Sequence, residues 1–202
     1  MMRKCLASLA VFLCFSCTSA TYIFDNPGQT TGVDFSQGKW LLNEVNVPHY
    51  LTQRITALAT KDFSENLGER LRYIPDTKGL LLPQKEIQLN PGKSILNNLY
   101  KGTNSDYFIN IKARENRNDF GPIDLTNHNA KTGNASNESE VTIEIYDLKN
   151  ATIIYSQKVI ASVSQVKNNS DVSVSKNQYQ LILSSYKKLM NDINKKSIHY
   201  VK

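Results

Sequence analysis

The chain has 202 residues, 21% of them charged, and a formal net charge of +6; its mean hydropathy is −0.40. This is about one domain in length and enough for a single hydrophobic core, and it is too hydrophilic for a polytopic integral membrane protein. The lysines are scattered rather than run together, which describes a mildly basic solvated surface and argues against nucleic-acid binding.

Met1-Met2-Arg3-Lys4 is a short basic start, and an apolar stretch follows from Cys5 to Phe15, interrupted only by Ser8. A run of that size matches the apolar part of a secretory signal and is too short to span a bilayer. The small residues Ser16-Cys17-Thr18-Ser19-Ala20 come next, and two cleavage readings fit them. In the first, Phe15-Ser16-Cys17 is a relaxed lipobox, with Ser16 directly before an acylated Cys17 and Cys14 in place of the usual aliphatic residue. In the second, Thr18-Ser19-Ala20 is an ordinary signal-peptidase site, and a soluble secreted protein begins at Thr21. Cysteine usage favours the first reading. Cys5, Cys14 and Cys17 are the only cysteines, so residues 1–17 read as a lipoprotein signal peptide and Cys17 as the lipidation site. The remainder has no disulfide and no thiolate metal site. Loss of Arg3 and Lys4 with the leader lowers the net charge from +6 to +4.

Residues 18–37 are rich in Thr, Gly, Asn and Ser without periodicity and read as a flexible tether, with Gly38 opening the folded part. Residues 40–47 read as a first strand stopped at Pro48. The spacing of Leu51, Ile55, Leu58 and Ala59, then Phe63, Leu67 and Leu71, predicts a long amphipathic helix over 48–72. An extended stretch over 79–89 is broken by Pro83. Asn90-Pro91 reads as an N-cap and first helical residue, for a short helix closed by Gly102. Residues 106–113 predict a strand, and 114–140, polar and Asn-rich, a long loop. Val141, Ile143 and Ile145 alternate with Thr142, Glu144 and Tyr146, and residues 152–163 return after the turn at Asp147-Leu148-Lys149-Asn150, which together predict a β-hairpin. Tyr179, Ile182, Leu183, Tyr186, Leu189, Met190 and Ile193 mark one face of a closing helix.

The expected architecture is an α/β (α+β) domain over 38–198. A single mixed sheet of about five strands packs with about three helices, in βαβαβββα order.

Catalytic signals are sparse. Gly92-Lys93-Ser94 has the tail of a phosphate loop, but the glycine such a loop needs upstream is Ile87, so a helix start is the better reading. His49, His128 and His199 lie far apart with no metal-binding spacing. No nucleophile elbow occurs. Asp119, Asp124 and His128 in the long loop are the only candidates for an envelope enzyme. Sequons begin at Asn134, Asn137, Asn150 and Asn168 and follow from Asn-rich composition. No cofactor and no metal is expected.

Two stretches carry a resemblance. Gly102-Thr103-Asn104-Ser105-Asp106-Tyr107-Phe108-Ile109 resembles the helix end and Asp-Tyr strand opening of bacterial envelope lipoproteins with a TolB amino-terminal-domain-like or curli-secretion-lipoprotein-like fold. Val141-Thr142-Ile143-Glu144-Ile145-Tyr146-Asp147, with Ile154-Tyr155-Ser156, is similar to their strand pair. Asn150 replaces the usual turn glycine. The resemblance implies a non-catalytic module that binds another envelope protein or assembles with itself. The expected partners are therefore the membrane, through the anchor, and an envelope protein.

Overall fold

The computed structural model describes residues 19–26, 28–76, 87–118, 134–166 and 176–199. Its elements are β1 (Thr21–Phe24), β2 (Trp40–Leu42), α1 (His49–Leu67), β3 (Leu71–Tyr73), α2 (Lys93–Thr103), β4 (Tyr107–Asn118), β5 (Asn134–Asp147), β6 (Thr152–Val166) and α3 (Gln178–Lys196). The strands form one six-stranded sheet in the order β1-β6-β5-β4-β2-β3. β2 runs parallel to β3 and to β4, and the remaining pairs are antiparallel. The α+β class and the mixed sheet are as expected, with one strand more. No helix among the described residues is long and apolar enough to cross a membrane.

One face of the sheet carries the main core. α1 presents Leu51, Ile55, Ala59, Phe63 and Leu67 at every fourth position, the spacing that aligns side chains along one helix face. α3 contributes Ile182, Tyr186, Leu189, Met190 and Ile193. Both pack on Trp40, Leu42, Ile109, Ile111, Val141, Ile143, Ile145, Tyr155 and Val159. A capping box fixes the start of α3: Asn177 Oδ1 accepts from Gln180 N at 2.9 Å, and Asn177 N donates to Gln180 Oε1 at 3.2 Å. Tyr179, expected on the core face, lies at that first turn and is 37% exposed. The opposite sheet face has a smaller cluster in which Leu96 and Leu99 of α2 meet Leu41, Ile87, Phe108, Tyr146 and Leu148.

Several boundaries differ from expectation, each for a tertiary reason. The described part of the tether expected over 18–37 is folded: β1 pairs with β6 from Thr21↔Ser162 to Phe24↔Val159, and Val33 and Phe35 are buried in the main core. The folded part therefore opens well before Gly38. That glycine has φ 77°, and a Cβ there would meet the Tyr107 ring at 2.5 Å. The first strand is only Trp40–Leu42. The helix expected to run to residue 72 ends at Leu67, where Gly68 takes φ 57°, and Leu71 leaves it to pair with Trp40. Most of the extended stretch expected at 79–89 lies outside the described residues; among the described residues, the strand between α1 and α2 is β3. Gly92, not Asn90, precedes the first turn of α2, and Asn104 (φ 50°) rather than Gly102 ends it. The expected loop over 114–140 is shortened from both sides, because β4 continues to Asn118 and β5 begins at Asn134.

Candidate functional site

On the α2 side of the sheet a polar group of side chains sits next to the small apolar cluster. Asn43 and Asn110 point from β2's end and β4 toward residues 87–90. Asn43 Nδ2 donates to Asn110 Oδ1 at 2.9 Å and to Ile87 O at 3.0 Å. Asn110 Nδ2 donates to Gln88 O at 2.9 Å, and Lys112 Nζ to Gln88 Oε1 at 2.8 Å. On β5, the Tyr146 hydroxyl donates to Glu144 Oε2, and Asn90 N donates to the same carboxylate oxygen at 2.9 Å. Burial, and then the bond to the Glu144 carboxylate, raise the Tyr146 phenol far above its ordinary range. It is a fixed donor, not a nucleophile. The chemistry of this cluster is to hold an irregular segment on the sheet, since its buried donors and acceptors are spent on one another and on the backbone of residues 87–90.

The tyrosines of the main core are held the same way. Tyr186 donates to Asp62 Oδ2 at 3.0 Å and Tyr155 to Asp192 Oδ2 at 3.2 Å, with burial the largest cause of both raised phenol pKa values. Asp192 also pairs with Lys196 at 2.8 Å.

The remaining surface of interest is the β1 border. Residues 25–26 and 28–38 are strapped across the sheet and α3. Asn26 N donates to Gln157 Oε1 at 3.0 Å while Gln157 Nε2 donates to Asn26 O at 3.1 Å. Lys196 Nζ donates to Gln29 O at 2.8 Å, and Arg70 to Phe35 O at 2.6 Å. β1 is the outermost strand, and among the described residues nothing pairs with its outer side. Asp25 N donates inward to Lys158 O at 2.9 Å, so ladder alternation turns the N–H groups of Tyr22 and Phe24 outward. Ile23 is 57% and Phe24 38% exposed. The Tyr22 ring packs toward α3, where the ammonium of Lys188 stands 4.7 Å and that of Lys176 5.3 Å from its centroid. Lys176 also donates to the Tyr22 hydroxyl at 3.0 Å.

Of the residues singled out in the sequence, Cys17, Asp119, Asp124 and His128 lie outside the described residues, as does Asn168. His49 is exposed at the start of α1. His199 sits elsewhere, its ring nitrogens 2.8 Å from Asn66 Oδ1 and 2.7 Å from Asn194 O. No group of three or more His, Cys, Asp or Glu that could hold a metal occurs among the described residues. Gly92 and Lys93 form a helix start. Asn137 is fully buried and is no glycosylation acceptor in the folded chain, whereas Asn150 caps its turn with Nδ2 on Asp147 Oδ2 at 2.7 Å. The sequence reading missed the strap and its Asn26–Gln157 pair. One signal was present: Gln157 interrupts the inward series Tyr155, Val159, Ala161 and Val163, and a polar residue at a buried strand position calls for a partner.

No family model and no curated protein matches this sequence. Among solved structures, the chain is similar to the PelC dodecamer from Paraburkholderia phytofirmans, with 11% identity over 87% of this chain and 97% of that one and a TM-score of 0.43. A lipoprotein from Neisseria meningitidis shows 13% identity over 76% and 99%, at a TM-score of 0.39. A hypothetical protein from Chlamydia trachomatis shows 11% identity over 82% and 94%, at 0.38.

Proposed function

We propose that this chain is a non-catalytic bacterial cell-envelope protein, anchored by lipid at Cys17, whose domain serves as a protein-interaction or assembly module. The single observation that carries the interaction reading is the open outer side of β1, with its outward N–H groups at Tyr22 and Phe24 and its exposed Ile23. An unpaired edge strand is a template for a strand from another chain. The leader carries the envelope assignment, and the buried polar clusters support a non-catalytic role because their groups are engaged with one another and with backbone. The resemblance of 102–109 and of the β5–β6 hairpin to TolB amino-terminal-domain-like and curli-secretion-lipoprotein-like proteins points the same way.

Two substitutions test the two halves separately. Cys17→Ser should move the protein from the membrane to the soluble fraction and remove the acyl mass; an unacylated wild type beginning at Thr21 overturns the anchor. Phe24→Pro removes one outward N–H while leaving the β6 ladder intact, a position where proline is tolerated. A partner cross-linked to the tethered protein should be lost in Phe24→Pro and kept in Phe24→Ala. Capture that ignores Phe24→Pro would rule out strand addition at this edge.

A further inference from the structure

A tether of the length expected over 18–37 would let the domain wander about 25 Å from its anchor. The structure removes that freedom. Ala20 already packs on the domain, against the cluster of Ala161, Val163 and Leu181. Only Thr18 and Ser19 separate it from Cys17, so the α-carbons of Cys17 and Ala20 stand at most about 10 Å apart. The headgroup layer of a bilayer is itself about 5–7 Å thick on each side. An acylated Cys17 therefore leaves the start of β1 no more than a few ångströms above the headgroups.

What the domain presents at that border is suited to such a surface. The ammonium groups of Lys188 and Lys176 stand 4.7 Å and 5.3 Å from the centroid of the Tyr22 ring, within the reach at which an aromatic ring attracts a cation. Among the described residues neither lysine has a carboxylate partner, so both charges remain available to anionic phosphate. Lysines close to an anionic bilayer surface each favour contact with it, and the attraction fades within a Debye length of about 8–10 Å.

We propose that the Tyr22–Lys176–Lys188 corner is a lipid-headgroup docking site that seats the anchored domain on the bilayer, with the β5–β6 turn at the far end. The inference rests on the lipid-anchor reading above. Seating would hold the open edge of β1 beside the membrane, where a neighbour confined to the same surface meets it.

The test uses the full lipidated protein in vesicles of phosphatidylethanolamine and phosphatidylglycerol carrying a headgroup-attached quencher. Residues beyond Cys17 include no cysteine, so Thr21→Cys and Asn150→Cys each give one labelling site. Thr21 pairs with Ser162 of β6, and Asn150 lies beyond the other end of that strand, roughly 35 Å away at the strand rise. The seated domain gives strong quenching of the label at position 21 and little at position 150. In the Thr21→Cys background, Lys176→Glu with Lys188→Glu should lower the seated population by about fivefold per lysine, while flotation with the vesicles persists. Flotation with both labels equally unquenched overturns the docking site and leaves the anchor standing. Quenching that ignores both charge reversals overturns the role of the lysines. Failure of the wild type to float removes the anchor, and the docking site with it.

Discussion

The two faces of the sheet use the same strands differently. On one, α1 and α3 close over an apolar layer in which Trp40, Phe63 and Tyr186 are fully buried. On the other, α2 covers only part, and beside it Asn43, Asn110, Glu144 and Tyr146 grip residues 87–90 by hydrogen bonds. Apolar burial contributes most of the free energy but has little directional preference. Buried amides add less and demand particular partners. One face therefore supplies stability, and the other fixes where an irregular segment lies.

The largest expected effect falls on the first face. Phe63→Ala, whose ring meets Phe35 edge-on with centroids 6.3 Å apart, should lower the free energy of unfolding by about 3–5 kcal/mol in urea titration. On the second face, Asn110→Ala leaves Gln88 O and the Asn43 amide short of partners and should cost about 1–3 kcal/mol. Hydrogen exchange should rise first at residues 87–90. An Asn110→Ala loss as large as that of Phe63→Ala, spread over the whole domain, would break the contrast. The smallest effect concerns Asp62, whose carboxyl is pushed above its ordinary range chiefly by burial, with the Tyr186 bond opposing. A folded pKa above the unfolded one means that ionisation weakens the fold, so stability is lost as pH rises through the folded value. Asp62→Asn keeps an amide oxygen for Tyr186 and should melt higher than wild type at about pH 7 but with it at about pH 3.

Legibility followed burial. The β5–β6 hairpin was readable because Val141, Ile143 and Ile145 alternate against a returning apolar strand, and α3 because its apolar residues recur at helical spacing. The outer parts of β4 and β5 were not, since Glu115, Asn116 and Arg117 look like loop; the stretch is extended because register pairs Glu115 with Ser139 and Arg117 with Glu138 around a bulge at Asn116. β1 was hidden for a related reason. Four residues of mixed polarity carry too little periodicity, and their partner β6 lies far along the chain. At the candidate site, the corner formed by Tyr22, Lys176 and Lys188 joins residues that no local pattern connects.

By itself, then, the sequence determined an α+β fold with a helix-covered mixed sheet, because hydrophobic periodicity is a property of contiguous residues. Only the tertiary structure decided that residues 20–26 and 28–38 belong to the fold, that Leu71 leaves a helix to join a strand, and that among the described residues the outer edge of β1 stays open. Those outcomes depend on which distant backbone groups find partners. That competition is settled in space, after the local preferences have been spent.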